Sequence, residues 1–239
     1  MKVTGMNRTT EQRNLLRIYS IDKKENGICL QICSNKTEEK IEESQKKGDS
    51  DMAEFDYEVV NGRKIRVRPV ETVSEVDENG YFVRQPNHFT EGFGEGKNPV
   101  EAGRYRLVWA KLCHWSNRAS IVRELLGLED AISVNMVDHA KHEKNLGWEF
   151  VYDKDHIDPV LGIQFLSEAY YKADDDYTGR TTVPALIDTK TGKVVNNDYT
   201  WLTNYFEVDF KPFHKKGAPD LYPEELRKDI DEMNDWLFD

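Results

Sequence analysis

The chain has three cysteines, Cys29, Cys33 and Cys113, and one of them stands where a thiol can do chemistry. Cys113 lies in Leu112-Cys113-His114-Trp115-Ser116, between a strand-like run and a helix-like run. A thiol at a helix start faces unpaired backbone N–H groups and the positive end of the helix dipole, and both favour an anion. Lys111, His114 and Arg118 are cations nearby in the sequence and act the same way where they point inward. The competing reading is a buried structural cysteine, since free cysteine is among the most buried residue types. The spacing Cys113-x-x-Ser116 is that of a two-cysteine redox motif with serine in the second place. Without a local resolving thiol, a mixed disulfide on Cys113 must wait for a thiol from outside.

Cys113 must be held by a block running from Tyr105 to about Phe210. Tyr105 to Ala110 reads as a strand, and Ser116 to Leu126 as a helix with Ile121, Val122, Leu125 and Leu126 on one stripe, stopped by Gly127. Ala131 to Val137 is the next strand. Pro159 to Ala173 reads as a helix with proline in its first turn. Val183 to Asp188 and Lys193 to Val195 form a strand pair around Thr191-Gly192, and Thr200 to Phe206 restarts a helix. This order predicts a small α/β domain with a mixed sheet. Upstream, Phe55 to Val60 and Lys64 to Val70 flank Asn61-Gly62, a hairpin signal, and Glu91 to Pro99 is a glycine-rich loop. Ile18 to Ile21 and Gly27 to Ile32 suggest two short strands. Ser34 to Asp51 carries almost no apolar anchor and predicts disorder or a solvated helix. Pro223 to Phe238 reads as a helix that runs to the end of the chain.

Composition narrows the function classes. Lysine and arginine number 33 against 44 aspartates and glutamates, a net charge of −11 over 239 residues. That balance argues against nonspecific nucleic-acid binding and against a polybasic membrane anchor. No run approaches the roughly 20 apolar residues of a membrane span, and no secretory signal pattern opens the chain. An odd cysteine count fits a reducing compartment, so the expected location is cytoplasmic. Asp138 to Glu143 could set His139 and His142 on one face, but no third ligand stands at a fixed spacing. Cys29 and Cys33 lack the second pair a zinc site uses. No metal is expected.

One further motif joins Cys113. Thr182-Val183-Pro184 stands at a strand start, where thioredoxin-like folds place a cis-proline beside the active cysteine; a strand-initial proline is also a purely structural choice. Many segments then match one family in order. They include Gly80-Tyr81-Phe82-Val83-Arg84-Gln85, Glu101-Ala102-Gly103-Arg104-Tyr105, Cys113-His114-Trp115-Ser116-Asn117-Arg118, Gly147-Trp148-Glu149-Phe150, Gly179-Arg180-Thr181-Thr182-Val183-Pro184 and Val195-Asn196-Asn197. From about Gly80 to its end the chain resembles the glutathionyl-hydroquinone reductases, the xi-class glutathione transferases. The resemblance implies a thioredoxin-like domain followed by an all-helical one. Together with the composition, it suggests a division into a polar extension (1–51), a family extension with hairpin and loop (52–100), the thioredoxin-like domain (101–210), and a linker with the first helix of a shortened helical domain (211–239). It also implies glutathione as co-substrate, quinone-type small-molecule substrates, and a fold compatible with a homodimer. By position, the resemblance makes Cys113 the nucleophile, lines the glutathione site with Trp148, sets Arg180 near a glutathione carboxylate, and pairs the Val183 backbone, ahead of Pro184, with the tripeptide.

Three departures stand out. Histidine occupies position 114, where the family usually has proline. Asp198-Tyr199 replaces a Glu-Ser pair that binds the γ-glutamyl end, which leaves room for another low-molecular-weight thiol. The chain also stops at Asp239, before the helical domain would be complete. Two alternatives to the reductase stay open: an omega-like thioltransferase, and a catalytically weak thioredoxin-like binding module.

Overall fold

The computed structural model describes residues 55–67, 76–139 and 146–238. The N-terminal strands and polar run, the hairpin beyond Val67, and His142 lie outside them. The hairpin is present as β1 (Tyr57–Val60) and β2 (Arg63–Arg66). Asn61 and Gly62 both have positive φ, 51° and 78°, the backbone that joins tightly twisted antiparallel strands. Val60, Ile65 and Val67 are buried in a cluster with Leu146 and Phe165.

The central sheet contains β3 (Tyr105–Trp109), β4 (Ile132–Met136), β7 (Ala185–Asp188) and β8 (Lys193–Asn196). Their spatial order is β4-β3-β7-β8. β3 runs parallel to β4 and antiparallel to β7, and β7 is antiparallel to β8, the mixed sheet of a thioredoxin-like domain. Two short strands, β5 (Asp138–His139) and β6 (Trp148–Glu149), pair beside it, with His139 opposite Trp148.

Strand alternation sorts the core onto two faces. Tyr105 and Leu107 of β3 and Leu186 of β7 pack with Ala119, Leu126, Leu202 and Phe206. Those residues come from α1 (His114–Leu126) and α3 (Leu202–Val208). Val108, Ala185 and Ile187 face the other way, against Leu166, Ala169 and Tyr170 of α2 (Leu166–Ala173). Gly127 closes α1 in the left-handed region, where the Gly127 and Leu128 N–H groups take up carbonyls of the last turn.

The expected helix from Pro159 is a correction. Only its second half, α2, is helical. Asp158 Oδ1 accepts from the N–H groups of Val160 and Leu161 at 2.8 and 2.7 Å, and Gly162 turns back at φ 68°. Glu168 Oε1 then accepts from the N–H groups of Gln164 and Phe165, which starts the helix there. The last helix, α4 (Arg227–Phe238), is preceded by a single 3-10 turn at Glu224–Leu226. Among the described residues, no helix is long and apolar enough to cross a membrane.

Candidate active site

Cys113 caps the start of α1 in an extended conformation. Its sulfur lies 3.3 Å from the Val183 carbonyl, so two segments seventy residues apart meet at one atom. The Val183–Pro184 bond is cis, in line with the motif reading. Ser116, the other end of the Cys-x-x-Ser spacing, faces away. It is fully buried; its hydroxyl bonds the carbonyls of Ala110 and Cys113 at 3.0 Å each and accepts from the Ala110 N–H at 3.1 Å. Serine here latches the strand-to-helix turn that presents the thiol.

Cys113 opens into a cavity of about 480 Å³, within the range of small-molecule sites. Trp148, Arg180 and Val183 line it with Cys113, as do Phe82, Arg84, His114, Trp115 and His139. Among the described residues no carboxylate lines it, although the chain as a whole is strongly acidic. Trp148 is oriented by stacking on His139, with ring centroids 4.4 Å apart and planes 23° apart. Gly147 approaches Thr181 so closely that a Cβ there would meet the Thr181 Oγ1 at 2.8 Å.

The 180–183 wall is fixed from behind. The Tyr170 hydroxyl donates to the Thr182 carbonyl at 2.8 Å, and burial pushes that phenol above its ordinary range, so it stays a neutral donor. Asn197 Nδ2 donates to Thr182 Oγ1 at 3.1 Å. The Arg180 backbone is held at both ends by Gln85, which accepts from its N–H at 2.7 Å and donates to its carbonyl at 2.7 Å.

Three sequence-predicted residues do not line the cavity. Pro184 is buried behind Val183. Asp198 is buried and committed locally, its Oδ1 accepting from Asn87 Nδ2 at 3.1 Å and from the N–H groups of Thr200 and Trp201 at 3.0 and 3.3 Å. It caps the turn into α3. Tyr199 lies against Trp115, with centroids 5.0 Å apart. The three cations near Cys113 in the sequence are placed differently. Lys111 is exposed and outside the lining, and Arg118 donates to the Thr200 carbonyl at 3.3 Å. Of the three, His114 alone lines the cavity, joined by Arg84 and Arg180 from distant segments.

Sequence reasoning missed Phe82, Arg84 and Gln85 as site residues. The Gly80–Gln85 motif was the available signal, but nothing in it tells which segment it folds against. Its neighbour Phe89 closes the attachment, donating its N–H to Asn197 Oδ1 at 3.0 Å and accepting the Asn197 N–H at 2.8 Å. His142, the residue expected to share a face with His139, lies outside the described residues; among those described, no group of three or more histidine, cysteine or acidic side chains could hold a metal ion.

Residues 112–207 match the family described as Glutathione S-transferase, N-terminal domain. The chain is 35% identical over 167 residues to Glutathione S-transferase omega-like 2 of Schizosaccharomyces pombe, covering 67% of this chain and 53% of that protein. It is 36% identical over 158 residues to the glutathionyl-hydroquinone reductase PcpF of Sphingobium chlorophenolicum, covering 65% and 49%. The solved xi glutathione S-transferase of Phanerochaete chrysosporium superposes with a TM-score of 0.60 at 37% identity, covering 66% of this chain and 55% of that one. The chain thus spans about half the length of the curated relatives it matches. Over residues 112–207 the chain thus resembles the N-terminal domain of glutathione S-transferases, and glutathionyl-hydroquinone reductases and xi-class transferases are among its homologues.

Proposed function

We propose that this chain carries out glutathione-dependent reduction of glutathionyl-hydroquinones, with Cys113 as nucleophile. The Cys113 thiolate attacks the glutathionyl sulfur of the aryl thioether. A sulfur–sulfur bond forms, the carbon–sulfur bond breaks, and the ring carbon leaves with the electron pair and takes a proton as free hydroquinone. The thiolate of a second glutathione then attacks the mixed disulfide, producing glutathione disulfide and restoring Cys113. Glutathione is oxidised and the ring carbon is reduced, so the two steps balance.

The observation that carries this reading is the position of the Cys113 sulfur at a helix start, 3.3 Å from the Val183 carbonyl, on a cavity whose walls are aromatic and cationic. The Val183 backbone offers strand-like pairing to the tripeptide, Trp148 supplies an apolar face, and Arg180 supplies charge for a carboxylate. Asp198 and Tyr199 meet the γ-glutamyl end from beside the cavity. Ser116, latched into the turn, does not resolve the disulfide, in keeping with release by an outside thiol. A reducing, cytoplasmic setting supplies that thiol.

The test uses a glutathione thioether of a naphthohydroquinone with excess glutathione. Release of hydroquinone, formation of glutathione disulfide and a glutathionyl adduct on Cys113 by mass spectrometry are the expected results. Equal release by Cys113→Ser would overturn the mechanism. The similarity to an omega-like transferase favours a second reading, thioltransfer from disulfides. Turnover of a glutathionylated peptide disulfide without turnover of the thioether would select it.

A further inference from the structure

The segment just ahead of the thioredoxin-like domain brings a cation to the mouth of the cavity. Arg84 lines the cavity with Phe82. Its guanidinium carbon stands 3.6 Å from the centroid of the Trp115 ring, 4.9 Å from Tyr199 and 5.7 Å from Phe82. Aromatic faces hold a guanidinium without neutralising it. Among the described residues, no carboxylate lies within ion-pair distance of Arg84, in contrast to Arg63, Arg104 and Arg106. The partly buried Arg84 therefore faces a pocket that contains Trp115 and Trp148 and, among the described residues, no acid.

Its segment is attached closely enough to act as a wall. Gln85 grips both backbone groups of Arg180, Asn87 donates to Asp198, and Phe89 exchanges two bonds with Asn197. The segment that carries the guanidinium is thus attached to the domain at Arg180, Asn197 and Asp198. A planar ring entering along Trp115 and Trp148 meets Arg84 at its edge, and a carboxylate or phenolate on that edge matches the guanidinium fork.

We propose that Arg84 is a specificity-determining residue that selects aromatic acceptors carrying an anionic ring substituent. This deepens the reading of the cavity as a glutathionyl-hydroquinone site by naming the acceptor class. The preference is a binding property, so it is measurable whether or not turnover occurs.

The experiment compares binding of 1,4-dihydroxy-2-naphthoate with that of its uncharged carboxamide, by tryptophan fluorescence and calorimetry, without glutathione. The wild type should prefer the carboxylate by about tenfold at low salt, and the preference should shrink at high salt. Arg84→Gln should abolish the preference while leaving carboxamide affinity within twofold, and Arg84→Lys should retain part of it. Arg180→Gln should leave it in place, and saturating S-methylglutathione should not displace the naphthoate.

Equal binding of the two ligands by the wild type would overturn the proposal. So would a preference that survives Arg84→Gln, or one that disappears only in Arg180→Gln. An equal loss for both ligands in Arg84→Gln would assign Arg84 to holding Trp115 rather than reading charge. Failed turnover with every thioether, alongside an intact carboxylate preference, would overturn the reductase reading and support this proposal.

Discussion

The two walls of the cavity are held by different physics. The wall that carries Cys113, Trp148 and Val183 grows out of the sheet and its adjoining segments, and buried charge ties it together. Asp158, fully buried, accepts from Arg106 Nε on β3 at 2.7 Å and from Asn135 on β4 at 2.6 Å. The opposite wall, Phe82 to Phe89, contributes no strand to the sheet and is attached to the domain by amide hydrogen bonds, one of them to the Asp198 carboxylate, and by the His88–Asp174 contact at 2.8 Å. Under the proposed function, chemistry that tolerates little displacement falls to the first wall. Acceptor recognition, where a shifted side chain changes selectivity more than rate, falls under the proposal for Arg84 to the second. Variation in segment 82–89 can then retune selectivity without disturbing the thiol.

The largest expected effect tests the first wall's chemistry. Cys113→Ser should lower turnover of the glutathionyl-hydroquinone at least about 10³-fold, because a hydroxyl has neither the acidity nor the nucleophilicity of the thiol. The melting temperature should scarcely move. Alkylation by iodoacetamide under native conditions should lose its fast phase in this variant; a persisting fast phase would mean that another cysteine is the reactive one.

The second largest tests the first wall's anchor. Asp158→Ala leaves the Arg106 guanidinium buried without its partner, and breaking such a pair costs about 3–5 kcal/mol. It also frees the turn at Val160 and Leu161, so Trp148 should become more mobile. Denaturant melts read the first effect and tryptophan anisotropy the second. Acid separates the walls in the same way. Burial alone would raise the Asp158 carboxyl, but Asn135, the Leu161 N–H and Arg106 outweigh it and hold the carboxyl below its ordinary range. Asp188 is likewise held down, with Arg104 as the leading stabilising partner over its own burial. Because these folded-state values are depressed, their stabilisation is complete above the ordinary carboxyl pKa near about 4 and is lost as pH falls through the lower folded values. Wild-type stability should therefore fall as pH drops below about 4, and the Asp158→Ala variant should show a shallower fall. An unchanged slope would remove Asp158 from the acid response.

A smaller effect tests the clip on the second wall. Gln85→Ala removes two bonds to Arg180 and one to the Tyr177 hydroxyl, while Tyr177 still donates to the Arg180 carbonyl. Glutathione KM should rise about tenfold, near 1.4 kcal/mol, with kcat changed less. A fall in kcat at constant KM would place Gln85 in the chemical step instead.

The first wall was largely legible in the sequence and the second was not. Strand periodicity located β3, β4 and β7, and the glycine stop located the end of α1, because local sequence decides those features. The helix from Pro159 failed since its apolar spacing fits a helix while Asp158 and Gly162 impose a turn; a side chain capping its own downstream backbone leaves no periodic trace. Cys113, Trp148, Arg180 and Val183 were brought together on one cavity. Arg84 escaped because its position depends on Gln85 meeting a backbone 95 residues away. The family resemblance identified the segment without supplying that contact.

Asp198 sits where the walls join, and it has the smallest predicted effect. Its Oδ1 accepts from Asn87 on one side and caps Thr200 and Trp201 on the other. Removing the cap with Asp198→Ala should cost about 1 kcal/mol. Asp198→Asn keeps an acceptor oxygen at the same place, so stability should stay within about 0.5 kcal/mol of wild type. Only the charge is lost. If the carboxylate also pairs with the ammonium of the γ-glutamyl end, Asp198→Asn should weaken glutathione binding a few-fold, since a partly solvated ion pair contributes about 0.2–1 kcal/mol. Calorimetry and a thermal melt on the same two variants separate the roles. Full glutathione affinity in Asp198→Asn, with lost stability in Asp198→Ala, would assign Asp198 to the turn alone and leave recognition of the γ-glutamyl end to the Tyr199 side of the mouth.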